Sequence, residues 1–217
     1  MNTEVRFSRL EPEQRKALLV DATLVCLKRY GFQGASVRKI CAEAGVSVGL
    51  INHHYEGKDA LVAEAYLAVS GRVMGLLHCA VESAPAPAPA RRRLSAFFQA
   101  SFSPEMLDPQ LLDAWLVFWG AVTRLESIRS IHDQSYGDYR NLLAGALALL
   151  ADEEGWHAFD AGLAAISLSA LLDGLWLESG LNPTTFTPHQ GVLICEAWVD
   201  GLQAGAYRRF QGGTSAC

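Results

Sequence analysis

With 217 residues, 50% of them hydrophobic and 19% charged, the chain can bury a sizeable core and is too apolar to be disordered. Its net charge of −5 is unevenly spread: residues 1–60 hold nine Lys and Arg against seven Asp and Glu, and the remainder nine against sixteen. An acidic total therefore does not exclude nucleic acid, because phosphate contact depends on local cations and amide donors. The five cysteines, Cys26, Cys41, Cys79, Cys195 and Cys217, are odd in number and far apart, which speaks for reduced core thiols and against a disulfide frame or a zinc site. The first residues lack the apolar run of a signal peptide, and the longest uncharged apolar run, 142–151, is half the length a bilayer requires. A cytoplasmic protein without membrane insertion is expected.

The first predicted helix covers about 12–30, with Leu18, Leu19, Ala22, Val25, Cys26 and Tyr30 on one side and Gly31 as its stop. Two short helices joined by a sharp turn follow over 36–55. Ser36 can cap the first, Val37, Ile40, Cys41 and Ala44 recur as its buried stripe, and Gly45 can take the left-handed backbone that ends it. Val46 is placed to plug the angle between them. Ser47 can cap the second helix, Ile51 and Tyr55 face inward, and Val48, Leu50 and Asn52 face outward. Such a pair is the unit that fits a helix into the major groove of DNA, and it is also a common structural corner in helical proteins.

A long helix from Lys58 to about Val81 stops at the alternating prolines of 83–90, which cannot continue it. Arg91, Arg92 and Arg93 open the next, through Phe97, Phe98 and Phe102 to near Pro104; they read as a solvated helix start, with a second DNA patch as the alternative. Further helical segments are predicted at about 109–122, 125–151, 156–180 and 188–209, and no segment alternates as a strand does. The fold class is all-α: a three-helix head, 1–57, and a larger helical body, 58–217.

The flanks of the helix pair decide between its readings. The stretch from Val37 to Gly49, followed by His53, His54, Tyr55, Glu56, Gly57, Lys58, Asp59, Ala60 and Leu61, closely resembles the amino-terminal domain of the TetR family of transcriptional regulators, over about residues 12–67. The resemblance implies a sequence-specific DNA-binding repressor acting on double-stranded operator DNA. It places base-edge contacts on Val48, Gly49, Leu50 and Asn52, and phosphate contacts on Ser36, Ser47, His53, His54 and Lys58. The chemistry agrees, since an Asn can pair with an adenine edge and small apolar side chains can touch thymine methyls. Metal binding by His53 and His54 is disfavoured, because adjacent side chains on a helix diverge.

Two phrases of the body carry chemistry. Trp115 and Trp119 share a helical face with Phe118 beside them, and Asp173 and Trp176 stand three apart within an apolar run. Aromatic stripes are more often core than ligand site. A carboxylate in such a run is costly to bury unpaired and should meet a donor, a cation or a ligand. Several tryptophans with one carboxylate suit a quaternary ammonium, held by cation–π attraction. The segments around Trp115, Trp176 and Gly49 are also similar to the TetR branch that represses glycine betaine synthesis genes in response to choline, which implies a small-molecule inducer of that kind; a different hydrophobic ligand is the alternative.

One recognition helix covers only a few base pairs, so a homodimer with paired heads about 34 Å apart is expected. Leu171 and Leu175 on one late helix and Trp198, Val199 and Leu202 on the next are candidates for its interface. No Gly-rich phosphate loop, nucleophile elbow or metal-ligand pair occurs, so neither enzyme, cofactor nor metal is expected. The competing class is a helical scaffold whose helix pair contacts protein.

Overall fold

The computed structural model describes residues 11–49, 51, 55–83, 88–206 and 210. Among them lie eight helices with defined ends: α1 (Pro12–Gly34), α2 (Val37–Ala44), α3 (Lys58–Glu82), α4 (Ala90–Ser101), α5 (Pro109–Val122), α6 (Glu126–Glu153), α7 (Ala161–Leu181) and α8 (Pro188–Gln203). Residues 48, 49 and 51 are also helical, and no described residue lies in a strand. The all-α class holds.

Local chemistry accounts for several of the ends. Pro12 at the first turn of α1 needs no backbone donor, and Gln14 accepts from the Glu11 N–H at 3.3 Å. Gly31, at φ 63° and ψ 176°, leaves the helical region, so the regular helix closes there and one last turn follows. The Ser36 hydroxyl accepts from the Lys39 N–H at 3.3 Å to start α2. Gly45, at φ 68° and ψ 35°, ends it, and the Val46 N–H reaches back to the Cys41 carbonyl at 2.9 Å. At α8, Thr187 and Gln190 form a reciprocal capping box ahead of Pro188.

Two bounds differ from the periodicity. α7 starts at Ala161, not near 156, because Asp160 caps it by accepting from the Leu163 N–H at 2.9 Å, while Gly155 and Ala158 hold positive φ in the preceding turn. α8 ends at Gln203, not near 209, with Gly205 at φ 80° just beyond. Apolar spacing continues past both ends, but capping and turn geometry outrank it there.

The chain divides into two compact units, residues 1–71 with 113–134, and 72–112 with 135–217. In the first, α1 packs on α2, and Leu27, Ile40, Ile51, Leu61 and Tyr66 are buried. In the second, α8 packs on α4 and α7 around Leu94, Phe98, Leu172, Cys195 and Leu202. α3 and α7 are long and apolar enough to cross a membrane by length and composition alone, which a search for uncharged runs passes over; both carry core residues here, Leu61 and Leu77 on α3, Leu168 and Leu172 on α7.

Candidate functional sites

The helix pair presents its second element as its spacing predicts, as far as residue 51. Ile51 and Val46 are buried, Val48 is 37% exposed, and a side chain at Gly49 would meet nothing within 4 Å. An outward surface on a rigid support can thus approach a flat partner closely. Ser36 is spent on capping α2, although a hydroxyl has a further lone pair and a donor to offer. Ser47 is half-buried. Leu50, Asn52, His53 and His54 lie outside the described residues.

Lys58 has a second task that its sequence position does not reveal. Its ammonium donates to the Phe32 carbonyl at 3.0 Å and sits 4.0 Å over the Phe32 ring, tying the start of α3 to the last turn of α1. An ammonium has three donors, so an anion can still be met. Lys39 does the same one helix earlier, donating to the Gly34 carbonyl at 2.7 Å over the Tyr30 ring.

The five predicted ligand residues are divided between the units. Trp115, Phe118 and Trp119 belong to the first; Asp173 and Trp176 belong to the second. In the first unit Tyr66, absent from the sequence reading, is fully buried; its ring meets Phe118 at 4.9 Å and Trp115 at 5.5 Å, and its hydroxyl pairs with His132 Nδ1 at 2.8 Å. Phe118 is core, Trp115 nearly so, and Trp119 half-buried.

In the second unit, the Trp176 indole N–H donates to the Ser101 carbonyl at 2.9 Å, which fixes the ring in the core. Tyr139, also unpredicted, places its ring 6.2 Å from Trp176, 5.8 Å from Phe97 and 6.0 Å from Tyr136. Asp173 receives a hydrogen bond from Tyr136 and feels the Arg140 charge, yet burial outweighs both and raises its carboxyl to about 6. Asp173 Oδ1 and the Tyr139 hydroxyl are buried, and neither has a hydrogen-bond partner among the described residues. Burial, and then the Asp173 charge, push the Tyr139 phenol well up. The legible signal was Tyr136 and Tyr139 three apart on α6, facing the Asp173 and Trp176 pair on α7. An open cleft of about 420 Å³ in the same unit is lined by Met74, His78, Asp138, Asn141 and Leu142, none of them predicted.

Three of the five predicted dimer residues are core residues of their own unit. Trp198, Val199 and Leu202 are 8%, 0% and 0% exposed within the single chain, because this face of α8 packs into the core of its own unit. Leu171 and Leu175 are half-buried. The apolar residues left outside on these helices are Leu163, Ile166, Leu177 and Leu181 on α7 and Leu193 and Ile194 on α8. Arg91 is corrected likewise: it is no free helix start, since its guanidinium pairs with Glu196 and, at 2.7 Å, with Asp200 on α8.

Among the described residues, no group of three or more His, Cys, Asp or Glu can hold a metal ion. Burial raises the Cys26 and Cys41 thiols and pushes Cys195 up to about 12, which suits inert core thiols.

Residues 19–65 match the model for bacterial regulatory proteins of the tetR family, and residues 90–204 that for the BetI-type transcriptional repressor carboxyl-terminal domain. The HTH-type transcriptional regulator BetI of Vibrio parahaemolyticus serotype O3:K6 is 30% identical over 190 residues, covering 87% of this chain and 92% of the relative. A solved chain from Pseudomonas aeruginosa PAO1, described as a transcriptional regulator, is 78% identical with a TM-score of 0.93, covering 96% of this chain and 100% of that one. A Saccharomonospora viridis regulator solved in complex with choline shares the fold at a TM-score of 0.71, 20% identical over 87% of this chain and 96% of that one.

Proposed function

Since this chain belongs to the tetR family of regulators and carries a BetI-type repressor carboxyl-terminal domain, it is a DNA-binding transcriptional regulator and not an enzyme, and we propose that it is a homodimeric, inducer-released repressor. Residues 1–57 act as the operator-reading head and 58–217 as the ligand-binding and dimerisation body. The observation that carries this reading is the helix pair, with Val48 and Gly49 turned outward while Ile51 anchors the second helix from within. Val48, Gly49, Leu50 and Asn52 read base edges, and Ser36, Ser47, His53, His54 and Lys58 contact phosphates. The protein works in the cytoplasm, on its operator.

Two copies join through Leu163, Ile166, Leu193 and Ile194, four of the six large apolar side chains that α7 and α8 leave exposed, together with the half-buried Leu171 and Leu175. The inducer is an organic cation seated against Asp173 and Trp176, with Tyr136 and Tyr139 completing that site; choline is one member of this class. Trp115 and Phe118, on the helix that also carries Trp119, form an aromatic cluster of the first unit with Tyr66, which His132 adjoins. A ligand that favours one of two body conformations by about 1–3 kcal/mol shifts the population far enough to spoil the spacing of the paired heads.

The deciding measurement is binding of the full chain to its own promoter fragment over a salt series. Each phosphate neutralised adds to a negative slope of log affinity against log salt. Specific binding with a steep slope supports the reading; binding indifferent to both salt and sequence overturns it.

A further inference from the structure

The proposed inducer site contains two polar atoms that packing alone does not explain. Tyr139 is 5% exposed and its hydroxyl meets no partner among the described residues; the same holds for Asp173 Oδ1. The two groups interact electrostatically, yet no hydrogen bond joins them. The two groups thus act on each other through space, and neither satisfies the other. Of the neighbouring polar groups, Tyr136 bonds Asp173, the Trp176 N–H is committed to the Ser101 carbonyl, and the Arg140 charge acts on Asp173 through space without a hydrogen bond to Oδ1. Buried polar groups in native proteins are nearly always paired, and an exception calls for a partner that the chain itself does not supply.

The chemistry of these two atoms selects among cations. A quaternary ammonium presents only methyl and methylene hydrogens, so it neutralises a carboxylate through space but gives Asp173 Oδ1 no hydrogen bond. A protonated primary, secondary or tertiary amine carries an N–H that makes a charge-assisted bond to a carboxylate, roughly twice as strong as a neutral one. The Tyr139 hydroxyl can then donate to, or accept from, a second polar group on the same guest. Resting on the cation-site reading above, we propose that the site formed by Tyr136, Tyr139, Asp173 and Trp176 takes an N–H-bearing ammonium ligand in preference to a quaternary one.

The test is a matched pair of probes, N,N-dimethylethanolamine and choline, which differ by one methyl group in place of one N–H. Each is titrated calorimetrically into the purified full-length protein at about pH 7.5, well above the Asp173 value, so that the carboxylate is ionised. The N–H amine should bind about tenfold tighter, the increment of one good charge-assisted hydrogen bond. In Asp173→Asn, checked for fold by circular dichroism, the preference should shrink to within about twofold, whereas Tyr139→Phe should weaken both probes alike, since both carry a hydroxyl for Tyr139 to meet. Choline binding as tightly or more tightly overturns the N–H preference and leaves a cation site standing. A preference that survives Asp173→Asn overturns its assignment to this carboxylate, and a Tyr139→Phe variant that binds both probes as the parent does removes Tyr139 from the site. No binding of either probe, by calorimetry or melting shift, removes the cation-site reading and the preference together.

Discussion

Asp173 shows how one carboxyl can be a cost to the fold and an asset to the site. Its folded value of about 6 lies above the ordinary 3.8, mainly because burial penalises the charge. For an acid raised in this way, the favourable contribution to folding is complete below about pH 4 and is lost as pH climbs through about 6. Asp173→Asn should therefore raise stability at pH 8 by about 2–3 kcal/mol over the parent, with the gap closing below pH 4, as read from denaturant midpoints at the two pH values. Parallel stability curves across that range would show that the carboxylate is not strained by burial. At the other end of the chain, Asn52→Ala should weaken specific operator binding by about 1–3 kcal/mol and relax one base position. Lys58→Ala should weaken binding to every sequence alike and reduce the salt slope by about one. Because Lys58 also holds Phe32, its removal should lower the melting temperature of the head, which Asn52→Ala need not do.

Helices in the second unit are joined by contacts that leave little slack. The amino end of α4 is capped from α6, where both Glu153 carboxylate oxygens accept from the Ala90 N–H at 3.0 Å, a placement that also meets the positive end of the helix dipole. Arg91 fastens the same turn to α8. Further along, α8 approaches so closely that a Cβ added at Gly191 would sit 2.5–2.9 Å from the Phe102 ring. Two effects oppose each other in Gly191→Ala. Helix propensity favours Ala by about 1 kcal/mol, while overpacking against a ring that is itself 3% exposed costs about 1–3 kcal/mol. Net destabilisation of up to about 2 kcal/mol is expected in thermal unfolding. A more stable variant would mean that Phe102 can swing aside.

At the scale of the whole molecule, the proposed dimer makes opposite demands on two sets of residues in the last two helices. Ile166 and Leu193 stand 54% and 51% exposed, so a charge there leaves the chain's own core intact. Ile166→Glu should give a folded monomer by sedimentation that has lost tight operator binding, because two heads are no longer held one helical turn apart. Val199→Glu buries a charge in a fully enclosed position and should instead unfold or precipitate the protein. A folded, dimeric Ile166→Glu would remove this face from the interface.

What the sequence determined by itself is what is written locally. The stripe Val37, Ile40, Cys41 and Ala44 with Ser36 before it and Gly45 after it fixes a short helix and its turn, since capping and left-handed backbone act within a few residues. Periodicity alone likewise located α3, α5 and α6 and excluded strands. Tertiary structure decided which apolar face is core and which is free. Leu202 and Leu193 are equally apolar in sequence, yet one is enclosed by its own unit and the other is half exposed. It also decided what stands beside Asp173. The aromatic signal favoured the tryptophans, whereas the group that shares its burial is Tyr139, 34 residues away on α6. Hydrophobic spacing reports that a side chain will be buried; which side chains meet in that interior depends on how helices distant in sequence pack, and no local pattern encodes it.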